Sequence, residues 1–253
     1  MTVQIGDALA LAKAIHIPVM YDFRAADVDA GGQGAPFVPV YHRALAQSLD
    51  WEGPTVVVNI GGVANITYID GDTLIACDTG PGQCAARRPH VPLAEPALRY
   101  RGPHRRAGQG RRGLDHPRAA NAVLSAAAAE IARPQRFCSG SKLGDIPPED
   151  GAATLTAFTA AAITRVVPLP PKEPKNWIVA GGGARNLTML RMLRECLQPA
   201  TVRAADTLGW ASDAIEAQAF GFLAARGLKG LPLSYPATTG VPFPMTGGII
   251  ARP

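Results

Sequence analysis

Apolar positions along the chain follow two periods, and each predicts its own elements. Runs rich in β-branched residues predict strands at Thr55–Ile60, Val63–Ile69 and Thr73–Asp78. Gly61-Gly62 parts the first pair and Asp70-Gly71-Asp72 the second, so residues 55–78 are predicted as an antiparallel meander. Trp177–Ala180 and Thr201–Ala205 predict two further strands, and residues 18–23 a short one. Helical spacing covers Ala8–Ile15, with Asp7 placed to cap it and Pro18 beyond its end. It also covers His42–Leu49, Leu187–Leu197 and Ala152–Val167, the last behind Pro147-Pro148-Glu149-Asp150. A final helix runs from a cap at Ser212 or Asp213 to Arg226, with Gly227 as its stop. Arg24–Pro39 reads as a loop, and the last 25 residues read as Pro/Gly-rich coil.

After residue 82 the periodicity fades until about Ile146, and only an alanine-dominated helix at Ala119–Ile131 is predicted between. The charge is uneven in the same place. Residues 83–137 hold 11 Arg, no Lys and three acids, whereas the rest holds 14 basic and 17 acidic residues. The net charge of +5 therefore comes from one internal block. That block admits a nucleic-acid-binding alternative, because clustered Arg neutralises phosphates. Tyr100 is the one aromatic between residues 83 and 136, so no stacking pattern accompanies it and no nucleic-acid partner is expected.

The chain of 253 residues can form one large or two small domains. No apolar run reaches the roughly 18 residues of a membrane span. Residues 1–20 lack the pattern of a secretory leader, so a cytoplasmic location and no membrane partner are expected. Cys77, Cys84, Cys138 and Cys196 form no CxxC pair and are expected to be reduced, with no direct metal site.

Three glycine-rich turns follow strands. Gly181, Gly182, Gly183, Ala184, Arg185 and Asn186 open a helix, and backbone without side chains lets a nucleotide approach the helix's free amides. An ordinary tight turn is the plain alternative. Asn59-Ile60-Gly61-Gly62 can wrap a phosphate with amides, or simply turn a hairpin. Asp78-Thr79-Gly80-Pro81-Gly82 can hold Mg²⁺ through water or orient a hydroxyl, or be a capped turn. Upstream, Asp27 and Asp29 flank Gly31, Gly32, Gln33 and Gly34, and either carboxylate can serve as a general base or as a solvated surface charge. Glu216 reads on its own as a helix-dipole or solvent-facing carboxylate.

Residues 22–36 (DFRAADVDAGGQGAP), 59–67 (NIGGVANIT), 78–82 (DTGPG), 181–186 (GGGARN) and 216–220 (EAQAF) resemble, in order and spacing, the anhydro-N-acetylmuramic acid kinases. The resemblance covers roughly residues 1–82 and 146–253. It implies an α/β fold of the RNase H-like, actin/hexokinase/Hsp70-like class, with an antiparallel meander plus βα units. It also implies ATP-dependent opening of 1,6-anhydro-N-acetylmuramic acid with phosphorylation at O6 in peptidoglycan recycling, with ATP and Mg²⁺ as cofactors. By the same resemblance Asp27 is the general base, and Gly31, Gly32, Gln33 and Gly34 form the substrate loop. Asn59, Gly61, Gly62, Asp78 and Gly80 serve the phosphates, Gly181, Gly182, Gly183 and Asn186 the adenosine, and Glu216 the sugar. Asp27, Gly61, Asp78 and Gly182 are expected to share one cleft, and a homodimer is left open as the assembly.

Two departures from the family pattern qualify this. The family's Gly-Thr-Ser-rich first phosphate loop has no counterpart here, so the expected chain lacks most of one lobe. Residues 1–82 and 146–253 would then be two parts of the remaining lobe. The stretch 83–145 between them is expected to be a poorly ordered insertion. Read one base out of frame, the codons of Gln83–Arg88 can spell the family's Asn-Ala-Leu-Leu-Asp-Asp. The same offset over Ala127–Phe137 permits Pro-Pro-Pro-Lys-Ser-Leu-Asp-Arg-Asn-Asp-Phe, which resembles the family's sugar-loop segment, and Glu130 before Ile131 allows only Lys or Arg in that frame. Residues 83 to about 140 are therefore expected to be translated out of frame. A non-catalytic, nucleotide-binding remnant is the alternative to a working kinase.

Overall fold

The computed structural model describes residues 5–82, 148–167 and 170–253. The expected out-of-frame insertion and the Ala119–Ile131 helix lie outside those residues. From the N-terminus the chain forms α1 (Ala8–Ile15), β1 (Val19–Tyr21), α2 (Ala25–Asp29) and α3 (Pro39–Gln47). Then come β2 (Thr55–Ile60), β3 (Val63–Asp70), β4 (Thr73–Pro81) and α4 (Pro148–Thr164). β5 (Asn176–Ala180), a 3-10 turn (Gly182–Arg185), α5 (Leu187–Cys196) and β6 (Thr201–Ala204) follow. A second 3-10 turn (Ala205–Leu208), α6 (Ile215–Leu228), α7 (Pro236–Thr239) and β7 (Ile249–Ala251) complete it.

These elements make two compact units. The first comprises Met1–Trp51, Ile69–Ala76 and Ala214–Pro253, and the second Glu52–Tyr68 and Cys77–Asp213.

The second unit is organised by a five-stranded sheet in the order β4-β3-β2-β5-β6. The two-residue connections between β2, β3 and β4 can join only antiparallel neighbours, so the predicted meander is present. On its other side β2 pairs in parallel with β5, Val56 opposite Trp177, and β5 in parallel with β6, Trp177 opposite Val202. Counted from β2, the spatial order is third, second, first, fourth, fifth. A meander joined to a βα crossover in that order is the mixed α/β sheet expected of an RNase H-like lobe. Central position explains composition: Val56, Val57 and Val58 are all fully buried, as a strand covered on both faces requires. α5 seats Met189, Leu190 and Leu193 in the core while Leu187 stays exposed, and α4 packs beside it.

In the first unit, Asp7 caps α1 by accepting the Ala10 N–H at 2.9 Å. β1 pairs antiparallel with β7, Val19 opposite Ala251. α3 packs on α6, and Phe23 meets the Phe220 ring edge-on at 5.5 Å.

Several expectations are corrected. Arg24–Pro39 is not wholly loop, because α2 forms within it and buries Asp27. The last 25 residues are not all coil, because they supply α7 and β7. The Asp78–Pro81 segment continues β4 rather than forming a turn. Neither Ser212 nor Asp213 caps α6: Ser212 bonds to Asp206 and Asp213 pairs with Arg185. Gly227 lies inside α6 rather than ending it. A Cβ there would stand 2.9 Å from Met20 Sδ and 3.0 Å from the Gly247 carbonyl, so close packing is what needs the glycine.

Candidate active site

In the first unit the site is built around Asp27, which is 1% exposed. Its Oδ1 accepts the Gly34 N–H at 2.7 Å, and its Oδ2 accepts the Thr239 hydroxyl at 2.6 Å. Such bonds to a charged oxygen are about twice as strong as neutral ones. The glycines around it serve this arrangement. Gly32 lies so close that a Cβ would collide with the carboxylate and stand 2.6 Å from Val241 Cγ1. Gly34 has φ +71, and a Cβ there would lie 2.8 Å from Val28 Cγ2. The loop's amides are spent internally: Gly31 on Val28 O, Gly32 on Asp27 O at 2.8 Å, and Gln33 on Thr239 O at 2.8 Å. Arg24 donates to the Gly34 carbonyl and lies 5.9 Å from the centroid of the Phe37 ring. What the loop offers a ligand is the exposed Gln33 side chain, not a row of free amides. The two candidate carboxylates thus separate, because Asp29 is exposed and, among the described residues, no comparable set of bonds holds it.

In the second unit the structure brings the other three motifs together at one end of the sheet. The Gly82 N–H donates to Gly62 O at 2.9 Å, and a Cβ on Gly82 would collide with the Gly61 carbonyl. A Cβ on Gly181, whose φ is +73, would collide with Asn59 Oδ1 and stand 3.0 Å from the Ile60 carbonyl. Gly183 presses on Ile60 in the same way. These glycines are what lets three main chains meet. Gly62 and Gly182 are exposed, and among the described residues neither amide donates to another backbone group. Thr79 Oγ1 donates to Ala64 O at 3.1 Å, and Thr159 Oγ1, from α4, donates to Pro81 O at 3.0 Å. Asn186 caps α5 through its side chain, accepting the Met189 N–H at 3.1 Å.

Asp78 is exposed on β4 beside these turns, and Gly80, two residues further along the strand, has φ +133. Partial burial of its surroundings pushes the Asp78 carboxyl above the ordinary carboxylate range. An exposed carboxylate beside exposed backbone amides is a donor set that fits Mg²⁺ keeping most of its waters. Burial, and then the Asp78 charge, push the neighbouring Cys77 thiol up to about 12. Cys77 and Cys196 are both free thiols. Glu216 is exposed in the first turn of α6, where its charge meets the helix dipole. Among the described residues no helix is long and apolar enough to cross a membrane.

Sequence reading missed Thr239, Arg24 and Thr159. Thr239 stands 212 positions from Asp27, and nothing in the local pattern of the last 25 residues marks it.

A model of the anhydro-N-acetylmuramic acid kinase family matches residues 1–89 and 135–252. A curated relative of that name from Bradyrhizobium diazoefficiens is 67% identical over 254 residues, covering all of this chain and 69% of the relative. Another from Nitrobacter winogradskyi is 64% identical over 260 residues, again covering all of this chain and 69% of the relative. Among solved structures, the activator of the 2-hydroxyisocaproyl-CoA dehydratase from Clostridium difficile with bound ADPNP superposes with a TM-score of 0.36 at 15% identity. That match covers 75% of this chain and 69% of the activator, and a likeness so slight carries no argument.

Proposed function

The chain belongs to the anhydro-N-acetylmuramic acid kinase family, and on that premise we propose which of its residues carry the reaction. The enzyme uses ATP to open 1,6-anhydro-N-acetylmuramic acid and gives the 6-phosphate. Asp27 takes a proton from water as the water oxygen bonds to the anomeric carbon. The bond from that carbon to O6 breaks, O6 bonds to the γ-phosphorus, and ADP leaves. The observation that carries this assignment is the buried Asp27 carboxylate, held at both oxygens inside the family-matched residues. Two hydrogen bonds leave lone pairs free on each oxygen to accept the proton.

Gln33 and the Gly31–Gly34 loop face the sugar, with Glu216 as a second sugar contact. The exposed amides of Gly62 and Gly182 serve phosphate oxygens, where donors aimed at developing charge stabilise the transferring group. Asn59, Gly61 and Gly80 complete the phosphate site, and Gly181, Gly183 and Asn186 shape the adenosine site. Asp78 would hold Mg²⁺ through water, and the ion would supply charge neutralisation at the phosphates. The location is cytoplasmic.

Turnover in H₂¹⁸O tests the reading. The expected product is N-acetylmuramic acid 6-phosphate with ¹⁸O at C1 and none in the phosphate. ADP formation without a sugar phosphate, or label in the phosphate, would overturn it.

We also propose that residues 83 to about 140 are out of frame. The family model's unmatched stretch, residues 90–134, falls inside that segment. Sequencing the coding DNA is the test: a stop codon or an unrelated peptide in the offset frame would remove the proposal.

A further inference from the structure

We infer that Thr239 is a positioning residue for the Asp27 carboxylate, and that its hydroxyl orients the oxygen pair for proton transfer. This rests on the reading of Asp27 as general base. Thr239 is fully buried and grips the Asp27 segment at two points. Its Oγ1 donates to Asp27 Oδ2 at 2.6 Å, and its carbonyl accepts the Gln33 N–H at 2.8 Å. One residue therefore ties the carboxylate to the loop that covers it.

Thr239 is itself held. It ends α7, where Pro236 supplies a helix-ready φ and the Tyr235 N–H donates to Thr238 Oγ1 at 3.0 Å. The Thr239 N–H donates to Tyr235 O at 3.1 Å. Gly240, at φ +83, then turns the chain so that the buried Val241 seats against Gly32. The α7–Val241 segment is thus the rigid back of the Asp27 loop.

Carboxylate orientation is the quantity this arrangement controls. With Gly34 on Oδ1 and Thr239 on Oδ2, rotation about the Cβ–Cγ bond breaks at least one charge-assisted bond. Without the Thr239 hydroxyl, Oδ2 loses its partner and the carboxylate can turn about the Gly34 bond alone. A misplaced base slows chemistry without weakening substrate binding.

The test measures kcat and KM for ATP and for 1,6-anhydro-N-acetylmuramic acid on the full chain, with unfolding midpoints alongside. Thr239→Val keeps the side-chain shape and removes the hydroxyl. Its kcat is expected to fall roughly 10- to 100-fold with both KM values near the parent's. Thr239→Ser restores the hydroxyl and is expected to recover to within about threefold of the parent. If the valine variant does not fold, Thr239→Ala against Thr239→Ser gives the same contrast, because they differ by that hydroxyl. Asp27→Asn, expected to lose roughly 10²- to 10⁴-fold in kcat, separates the two readings. If Asp27→Asn is inactive but removing the Thr239 hydroxyl leaves kcat unchanged, or serine fails to rescue, the positioning role is wrong and the base reading stands. If Asp27→Asn keeps parental turnover, the base reading falls and this inference with it.

Discussion

Glycine-rich backbone does opposite things in the two units. Around Gly31–Gly34 the amides turn inward, and the loop is occupied with fixing one carboxylate and the residue behind it. Around Gly61-Gly62, Gly82 and Gly181–Gly183 the absent side chains let separate strand ends touch, and the exposed amides of Gly62 and Gly182 donate to no other backbone group among the described residues. The first is a device for holding a side chain, and the second leaves amides at the surface, where we propose that they hold an anion. Glycine density is the same signal in both places. Where the amides go tells them apart.

The sharpest way to break this comparison is to add one methyl group on each side. Gly32→Ala would drive a Cβ into the Asp27 carboxylate. It is expected to lower kcat roughly 100-fold while the KM for ATP stays near the parent's. Gly181→Ala would strain a position at φ +73 and press on the Asn59–Ile60 turn. It is expected to raise the KM for ATP about tenfold, equivalent to about 1.4 kcal/mol. Steady-state kinetics with each substrate varied decide it. If both variants move the same parameter, the division of labour is wrong.

Stability offers a smaller contrast. His42, on α3 of the first unit, is buried, and burial lowers its pKa to about 4. The unfolded chain binds that proton near pH 6.5, so this contribution to stability is complete above pH 6.5 and is lost as pH falls toward 4. Between pH 7 and 5 the loss is expected to be about 2 kcal/mol. Denaturant titrations at both values measure it, and His42→Gln should lack that component. An unchanged parent midpoint would refute the assignment. The smallest expected effect is in the second unit. Asn186→Ala removes the α5 cap and should cost about 1 kcal/mol. ATP affinity falling far beyond that loss would show Asn186 touching the nucleotide as well as capping the helix.

The second unit was the more legible of the two. Its strands are continuous apolar runs with two-residue turns, so period and turn chemistry together specify a meander. Boundaries moved by a few residues, as at α3, which starts at Pro39 rather than His42. The errors fell where long-range contacts decide. α2 is too short for a helical period to register, and β7 is a strand because β1 lies beside it. Gly227 resembled a helix stop until its packing against Met20 and Gly247 was visible. Of the site residues, Asp27 could be singled out over Asp29 only by resemblance, whereas burial and two hydrogen bonds single it out physically.

By itself the sequence determined the family, through ordered motifs that one-dimensional spacing preserves. It also determined the meander and the helices whose cap and periodicity are local, such as α1 and α5. Tertiary structure alone decided what the glycines are for, because an amide's partner is set by which chain segment lies opposite. It alone revealed Thr239, because a hydrogen bond between residues 212 positions apart leaves no mark on the local pattern at either end.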